Sequence, residues 1–343
     1  MRSIPKRSIW VAGLTALTTG FLLPGLILDA YALSFSPAGN AQIPELYSEL
    51  VPTWTGGVLV SIESRGTATP IIHSFDETGQ ETLPIAVSIP DAQEVQIAGF
   101  SRGSGGAFAL TGWTVDRQGH REGFLSLVSP DHKTIQTVRL APYSPRLVAF
   151  APDGTIWTVG AEIGPRGSEK DPSVNLNHGV IRHFDKNLAP IASFLPQSSI
   201  KPVRGGYMAS NKDRIGWYPR LSEAYYEVSF DGKVSHFTAV PLPTNHFTVR
   251  GFALTDDGEA FVTVGELNKE TQLYRLDRGA GAWVPITAPP GTRITLPGDS
   301  PRMVGPELFG GDGTRLAFRG YDEANGWEIK FFNVTEGQQS SAQ

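Results

Sequence analysis

One stretch of the chain sets a pattern that the rest of it repeats. Residues 147–150 form a short apolar run, Asp153-Gly154 lies in the turn that follows, and residues 155–159 form a β-prone run. An Asp-Gly pair between two such runs is a strong hairpin signal, because glycine adopts positive φ without steric cost. Two further runs, 179–184 and 191–194, flank a second turn. The stretch therefore predicts four antiparallel strands.

The same unit recurs six times. Its first turn is found at Gly56-Gly57, Gly103-Ser104, Asp153-Gly154, Asn211-Lys212, Asp257-Gly258 and Asp312-Gly313. Its second turn is found at Phe75-Asp76, Pro130-Asp131, Phe184-Asp185, Phe230-Asp231, Leu276-Asp277 and Phe332-Asn333, in steps of 46 to 56 residues. A solenoid is the alternative, but it needs polar capping repeats and a shorter, stricter period. We therefore predict an all-β, six-bladed β-propeller with four-stranded antiparallel blades.

The two ends of the propeller must meet for its ring to close. The last unit has no fourth strand before the chain turns polar near Gly337. We expect an N-terminal segment such as residues 33–35 to supply that strand, which leaves only short, protected edges. The predicted organisation is a leader over 1–32, a propeller over 33–337 and a polar tail over 338–343.

The N-terminus has the features of a secretory signal peptide. Arg2, Lys6 and Arg7 precede an uncharged, largely apolar run at 9–28, and Ala30-Tyr31-Ala32 matches an A-x-A cleavage site. Retention as a membrane anchor is the alternative, since such a run can span a bilayer. Either way, the sequence predicts an extracytoplasmic protein, periplasmic or secreted, with membrane contact only if the leader stays uncleaved.

The composition excludes several classes of function. Without residues 1–32 the net charge changes from −5 to −7, which argues against nucleic acid as a partner. The chain has no cysteine, so it has no disulfide framework and no thiol nucleophile. We expect a monomer whose partner is a small anionic molecule or a protein.

The motif Asp-Gly-x-x-Trp at 153–157, followed by Gly-Val-Ile-Arg-x-Phe-Asp at 179–185, resembles the blade signature of NHL and SMP-30/gluconolactonase-like (TolB-like) six-bladed propellers. In SMP-30-like lactonases, the resemblance implies, a divalent metal is held on the axis by a Glu of the first blade and by Asn and Asp of later blades. Glu49 resembles that Glu, displaced by one residue, whereas Arg146 and Arg204 occupy the other positions. A guanidinium repels a hard cation, so the sequence predicts no metal cofactor, with Glu49 as the weak candidate ligand.

Arginines recur at the start of the innermost strands. Counting back seven residues from the first turns reaches Glu49, Gln96, Arg146, Arg204 and Arg250, and Arg302 corresponds to them after a three-residue insertion. We expect these side chains to converge on one mouth of the channel, with Gln96 and the four arginines binding an anion. The structural alternative is that the arginines pair with carboxylates such as Glu94, Asp299 and Glu307.

The favoured functional interpretation is therefore a non-catalytic propeller that binds a small anion or an acidic partner segment. The alternative is a gluconolactonase-like hydrolase or lyase that uses Glu49 with His178 or His246, which lie in connections at the same mouth. A scaffold whose long loops bind protein is the third possibility.

Overall fold

The computed structural model describes residues 33–43, 53–63, 67–163, 175–194, 205–220, 224–266, 269–296, 302–322, 324 and 326–336. In those ranges the chain forms strands and turns and no helix, and so no membrane-crossing helix either. Six separate four-stranded antiparallel sheets give the predicted six-bladed propeller.

The strands follow one another outward from the axis in each of the first five blades. Blade 1 contains β2 (Thr53–Thr55), β3 (Val58–Ile62), β4 (Ile71–Phe75) and β5 (Ile85–Ala86). Blade 2 contains β6 (Glu94–Arg102), β7 (Phe108–Val115), β8 (Arg121–Val128) and β9 (Ile135–Arg139). Blade 3 contains β10 (Tyr143–Phe150), β11 (Ile156–Ile163), β12 (Asn175–Phe184) and β13 (Pro190–Phe194). Blade 4 contains β14 (Gly206–Ser210), β15 (Arg214–Pro219), β16 (Ala224–Ser229) and β17 (Val234–Thr238). Blade 5 contains β18 (Thr248–Leu254), β19 (Ala260–Gly265), β20 (Thr271–Asp277) and β21 (Ala282–Ile286).

Blade 6 combines the two ends of the chain. It contains β24 (Leu308–Asp312), β25 (Arg315–Asp322) and β26 (Gly326–Glu336), and its outermost strand is β1 (Leu33–Gln42). The closing strand is thus confirmed, and it is longer than predicted. The predicted second turn at Phe332-Asn333 is wrong, because both residues lie inside strand β26, where they pair with β1 on one side and with β25 on the other. No turn is needed there, since the fourth strand comes from the N-terminus.

A further hairpin lies between blades 5 and 6. Strand β22 (Ile294–Leu296) pairs with β23 (Arg302–Val304), and the two form a sheet of their own. The expectation that Arg302 begins an innermost strand is therefore wrong, because the innermost strand of blade 6 is β24.

The second strand of each blade is sandwiched between neighbouring blades, whereas the outer strands are partly in water. Every residue of β3 and of β19 is buried, and β21 is half exposed. This burial on both faces explains why the second strands are nearly continuous apolar runs rather than alternating ones. Apolar clusters between adjacent blades form the core.

We call the end of the channel where the innermost strands begin the upper mouth, and the end where they finish, at the first turns, the lower mouth. At the lower mouth, hydrogen bonds pass from blade to blade. The Thr55 and Ser101 hydroxyls lie 3.2 Å apart and join blades 1 and 2. The Phe150 amide donates to Ser101 Oγ at 3.4 Å, and Ser210 Oγ donates to the Phe150 carbonyl at 2.5 Å. Blades 1 to 4 are thereby linked in sequence.

The same series continues around the ring. The Asn211 side-chain amide donates to the Thr255 carbonyl at 2.9 Å, and the Asp256 amide donates to the Gly313 carbonyl at 2.7 Å. These two contacts link blade 4 to blade 5 and blade 5 to blade 6. Each satisfies polar groups at strand ends that would otherwise lack partners.

The last contact of the series joins blade 6 to blade 1. Trp54 Nε1 donates to Asp312 Oδ2 at 2.6 Å. The buried Trp54 ring also packs with Phe331 of β26 and belongs to one apolar cluster with Ala41 of β1. Closure thus combines a polar contact at the lower mouth with an apolar cluster and the β1 ladder farther out.

A buried carboxylate joins blades 4 and 5. The Glu227 side chain is 3% exposed and accepts two hydrogen bonds from Arg278, at 2.7 and 2.8 Å, one from Arg214 at 3.0 Å and one from Tyr225 at 2.8 Å. Burial by itself raises the pKa of the Glu227 carboxyl, but the hydrogen bonds and charge of Arg278, with Tyr225 and Arg214, outweigh it and lower the pKa below its usual value.

We therefore expect Arg278→Ala to lower the free energy of unfolding by about 3 kcal/mol, because it leaves a buried carboxylate short of partners. Since the pKa of Glu227 is lowered by folding, its contribution is complete above the carboxyl pKa of the unfolded chain, near 4.5, and is lost as the pH falls through the lower folded value. Urea unfolding across this pH range measures both effects.

The matched control is Arg293→Ala. Arg293 pairs with Glu270 at 3.0 Å, but both side chains are about half exposed, and such a pair contributes no more than about 1 kcal/mol. Glu227→Gln should remove the acid-dependent part of the stability. Equal losses for Arg278→Ala and Arg293→Ala would contradict this account of the blade 4–5 contact.

Candidate functional site

Bulges interrupt the innermost strands near the upper mouth. The ladders skip one residue at Ala98 in β6, at Arg146 in β10 and at Arg250 in β18, each four residues before the last ladder pair. A bulge leaves one residue outside the ladder and re-aims its side chain. Arg146 and Arg250 thus occupy equivalent positions, as predicted by the sequence.

Gln96 does not share that position. The first turn of blade 2 is closed by a hydrogen bond from the Gly103 amide to the Ala107 carbonyl. The equivalent hydrogen bond in blade 3 runs from the Ala151 amide to the Thr155 carbonyl. Gly103 therefore matches Ala151 rather than Asp153, and counting from it places Gln96 two residues too early. Ala98 is the residue equivalent to Arg146.

Arg146 lies against an aromatic ring of the preceding blade. Its guanidinium is 5.3 Å from the centroid of Trp113 of β7, and the guanidinium of Arg121, at the start of β8, is 3.8 Å from the same ring. Both distances suit cation–π contacts, for which tryptophan is the best partner. Two positive charges are thereby held close together between blades 2 and 3.

His178 lies near Arg146. It lies in strand β12, opposite Ala161 in the ladder, and not in a connection as predicted, because β12 extends to Asn175; its side chain is partly buried. Burial and, after it, the positive charge of Arg146 lower the pKa of the His178 imidazole from its usual value of 6.5. At neutral pH the ring is therefore a neutral hydrogen-bonding group beside a cation. We call Trp113, Arg121, Arg146 and His178 the Trp113 cluster.

Gln96 lies beside this cluster although it is not equivalent to Arg146. It pairs directly with Trp113 in the β6–β7 ladder, so the two side chains share one face of the blade. Its side-chain amide donates to Glu94 Oε1 at 2.5 Å. The structure thus brings together Gln96, Arg146 and His178 of the predicted site residues.

Arg250 lies in a different environment. Its Nη2 is 3.7 Å from Glu307 Oε1, and Glu307 also accepts a hydrogen bond from Arg319 at 2.7 Å. The Arg250 and Glu307 side chains are each 12% exposed. This pair joins blades 5 and 6 and corresponds to the structural alternative, in which a carboxylate of the next blade neutralises the arginine.

The other predicted residues are spread more widely. His246 is exposed in the turn between β17 and β18. Glu49 and Arg204 lie outside the described residues, as does Asp299, and of Arg302 only the backbone is described. Within the described part of the chain, no three acidic, histidine or cysteine side chains are placed to hold a metal ion. The absence of a metal therefore stays a prediction, because Glu49 is not among those residues.

A cavity of about 260 Å³ lies at the lower mouth, the end opposite the Trp113 cluster. The ends of all six innermost strands line it, and its charged groups are Arg102, Asp256 and Asp312. Arg102 donates to the Gly56 carbonyl at 2.7 Å, and Asp256 is exposed. Two carboxylates make this cavity unsuited to an anion, so the predicted anion site stays at the upper mouth.

The sequence did not identify Arg121 and Trp113 as site residues. Counting from turns finds the innermost strands, whereas these two lie on the second and third strands of blade 2. A usable signal was present: Trp113 and Val115 are two residues apart on β7 and so share one face, and Arg121 pairs with Val115 across the following turn. That places Trp113 and Arg121 on one face, because the side chains of a strand alternate.

Comparison with known proteins supports the fold. No protein-family model and no curated protein sequence matches the chain. A member of the DUF4221 family from Bacteroides vulgatus is 11% identical, with 90% of this chain and 99% of that chain covered and a TM-score of 0.51. Virginiamycin B lyase from Staphylococcus aureus is 11% identical, with 88% and 100% covered and a TM-score of 0.46. The periplasmic gluconolactonase of Pseudomonas aeruginosa is 13% identical, with 81% and 82% covered and a TM-score of 0.44. At 11% identity, the likeness to the DUF4221 protein shows the fold alone.

The electrostatic coupling within the Trp113 cluster can be measured. We expect the His178 imidazole to titrate below its usual pKa, and Arg146→Ala to raise that pKa part of the way back, since burial remains. NMR titration of the imidazole resonances measures the pKa of His178 in both proteins. Arg139→Ala, which removes an arginine paired with Glu122 at 3.1 Å, should leave His178 unchanged. An unchanged His178 in Arg146→Ala would contradict the coupling.

Proposed function

We propose that this protein is an exported six-bladed propeller that binds a small anion at the upper mouth, between blades 2 and 3. The observation that carries the proposal is the placement of the Arg121 and Arg146 guanidinium groups on one tryptophan ring. Both positive charges lie within about 6 Å of the same ring centroid, and a bound anion would offset their mutual repulsion while accepting hydrogen bonds from both groups. The leader predicted from the sequence supports export.

The proposed site is local rather than a ring of arginines. Arg146 lies over Trp113 and close enough to His178 to lower the pKa of its imidazole, and Arg250 lies apart from them, beside Glu307. Arginine suits such a site because its planar guanidinium offers paired donors to a carboxylate or phosphate. His178, neutral at neutral pH, adds a hydrogen-bonding group without a further positive charge.

We expect Arg146→Ala and Arg121→Ala each to weaken the binding of phosphate or citrate about tenfold or more, because each removes a charge-assisted hydrogen bond. Isothermal titration calorimetry of the purified protein gives the affinities, and raising the salt concentration should weaken binding to the unmodified protein. Arg139→Ala is the matched control: Arg139 belongs to blade 2, as Arg121 does, and lies on the opposite face of that blade, where it pairs with Glu122.

An equal loss of affinity in Arg146→Ala and Arg139→Ala would contradict the proposed site. Unfolding measurements on each variant separate a loss of binding from a loss of structure. Because Arg146 and Arg121 are partly or fully exposed, we expect both variants to keep their fold.

The lowered pKa of His178 favours one second candidate, a hydrolase or lyase in which this imidazole is the general base. A neutral ring beside a cation can take a proton while the guanidinium holds the developing negative charge. Glu49, the carboxylate that the sequence paired with such a histidine, lies outside the described residues. On this alternative the protein turns over lactones or esters, and His178→Gln abolishes turnover while ligand binding remains. If the protein binds the anion but turns over no lactone or ester, the alternative is excluded.

A further inference from the structure

We propose that the ligand is a zwitterion, with its anionic group on Arg121 and Arg146 and its ammonium group on Glu94. This inference rests on the proposed function, because it takes the anion site as given and adds a second pole to it. It assigns to Glu94 the part of an acceptor for a cationic amine, and so names the ligand class as an amino acid or a similar small amino-carboxylate.

The ladders of blade 2 bring the two poles onto one surface. Glu94 of β6 pairs with Val115 of β7, and Val115 pairs with Arg121 of β8. Directly paired residues in antiparallel strands point to the same face. Neighbouring strands are about 4.8 Å apart, so the Cα atoms of Glu94 and Arg121 are separated by about 10 Å.

The neighbouring row completes the surface. Gln96 pairs with Trp113, so the amide that orients Glu94 lies next to the ring that carries the two guanidinium groups. The hydrogen bond from Gln96 Nε2 fixes Glu94 Oε1 at 2.5 Å. Carboxylate and guanidinium are thus held at opposite ends of one wall, with the Val115 side chain and the Trp113 ring between them.

Glu94 retains acceptor capacity for a ligand. A carboxylate has two oxygens with about four acceptor sites, and the described contact with Gln96 uses one of them. In the described part of the chain, no ion pair joins Glu94 to an arginine or a lysine of the protein. It is also only partly buried, so an ammonium group from solution can reach it.

Charge complementarity then selects the ligand. An anion without an ammonium group leaves the Glu94 carboxylate without a cationic partner, and a simple amine meets two guanidinium groups, so each is matched by only one pole of the site. A molecule with one negative and one positive end satisfies both. Because an apolar residue lies between the poles, a short aliphatic link suits the gap.

The test uses probes that differ by one group. Glycine, β-alanine and γ-aminobutyrate are titrated into the purified protein beside acetate, propionate and butyrate, with butylamine as the probe that lacks the anion. We expect at least one amino acid to bind about tenfold or more tightly than its matched acid, because a charge-assisted hydrogen bond to Glu94 is added. Butylamine should show no binding.

Two variants locate the effect. Glu94→Gln should reduce the affinity of the preferred amino acid to that of its matched acid and leave the acid itself unchanged or bound more tightly. Glu122→Gln is the control, since Glu122 lies in the same blade and pairs with Arg139. It should keep the preference for the amino acid.

The outcomes separate this inference from the proposed function. If amino acids and matched acids bind equally, or if Glu94→Gln weakens both alike, the zwitterion assignment is wrong and the anion site remains. If none of these probes binds and neither do phosphate or citrate, the proposed function itself fails. Strong binding of butylamine would overturn both.

Discussion

Closure of the ring is the constraint on which the rest of this structure depends. Each blade buries its two faces only against its neighbours, so an open ring would expose the apolar faces of two blades. The chain meets this requirement through two kinds of contact. Polar groups at the lower mouth bond from one blade to the next, and the last bond runs from Trp54 to Asp312. Farther from the axis, β1 completes blade 6, and its apolar residues pack with blade 1.

The two mouths of the channel differ because of this arrangement. At the lower mouth the side chains are used in holding blades together, and substitutions there act on the ring. At the upper mouth equivalent bulges carry different residues: Ala98 in blade 2, Arg146 in blade 3 and Arg250 in blade 5. The scaffold presents one geometric position several times, and the residue placed there decides whether it packs, pairs with Glu307 or lies over Trp113. Functional residues are therefore expected at positions where one blade carries a different residue from the equivalent position of the others.

Most of the fold could be predicted from the sequence, because turns and apolar runs are local signals. The Asp-Gly pairs at 153–154 and 257–258 mark hairpins without reference to the rest of the chain, and the missing fourth strand of the last unit pointed to β1. The site was harder, because it depends on register. A displaced turn in blade 2 shifted Gln96 by two residues, an added hairpin removed Arg302 from the innermost strands, and the meeting of Arg121 with Arg146 joins two blades across a single ring. None of these contacts has a fixed spacing along the chain.

The pairing of Leu33 with Glu336 sets an order on how the molecule is assembled. Strand β1 is synthesised before the other strands of the propeller, whereas its partner β26 is synthesised after them. Until then its backbone groups have no native ladder, and the apolar face of blade 1 that Ala41 later covers is open. The separation of more than 300 residues makes this a contact of very high sequence distance, and such contacts form slowly. The first five blades contain only consecutive strands and can pair and pack against one another in order, whereas the sixth blade, and with it the closed ring, requires both β1 and β26.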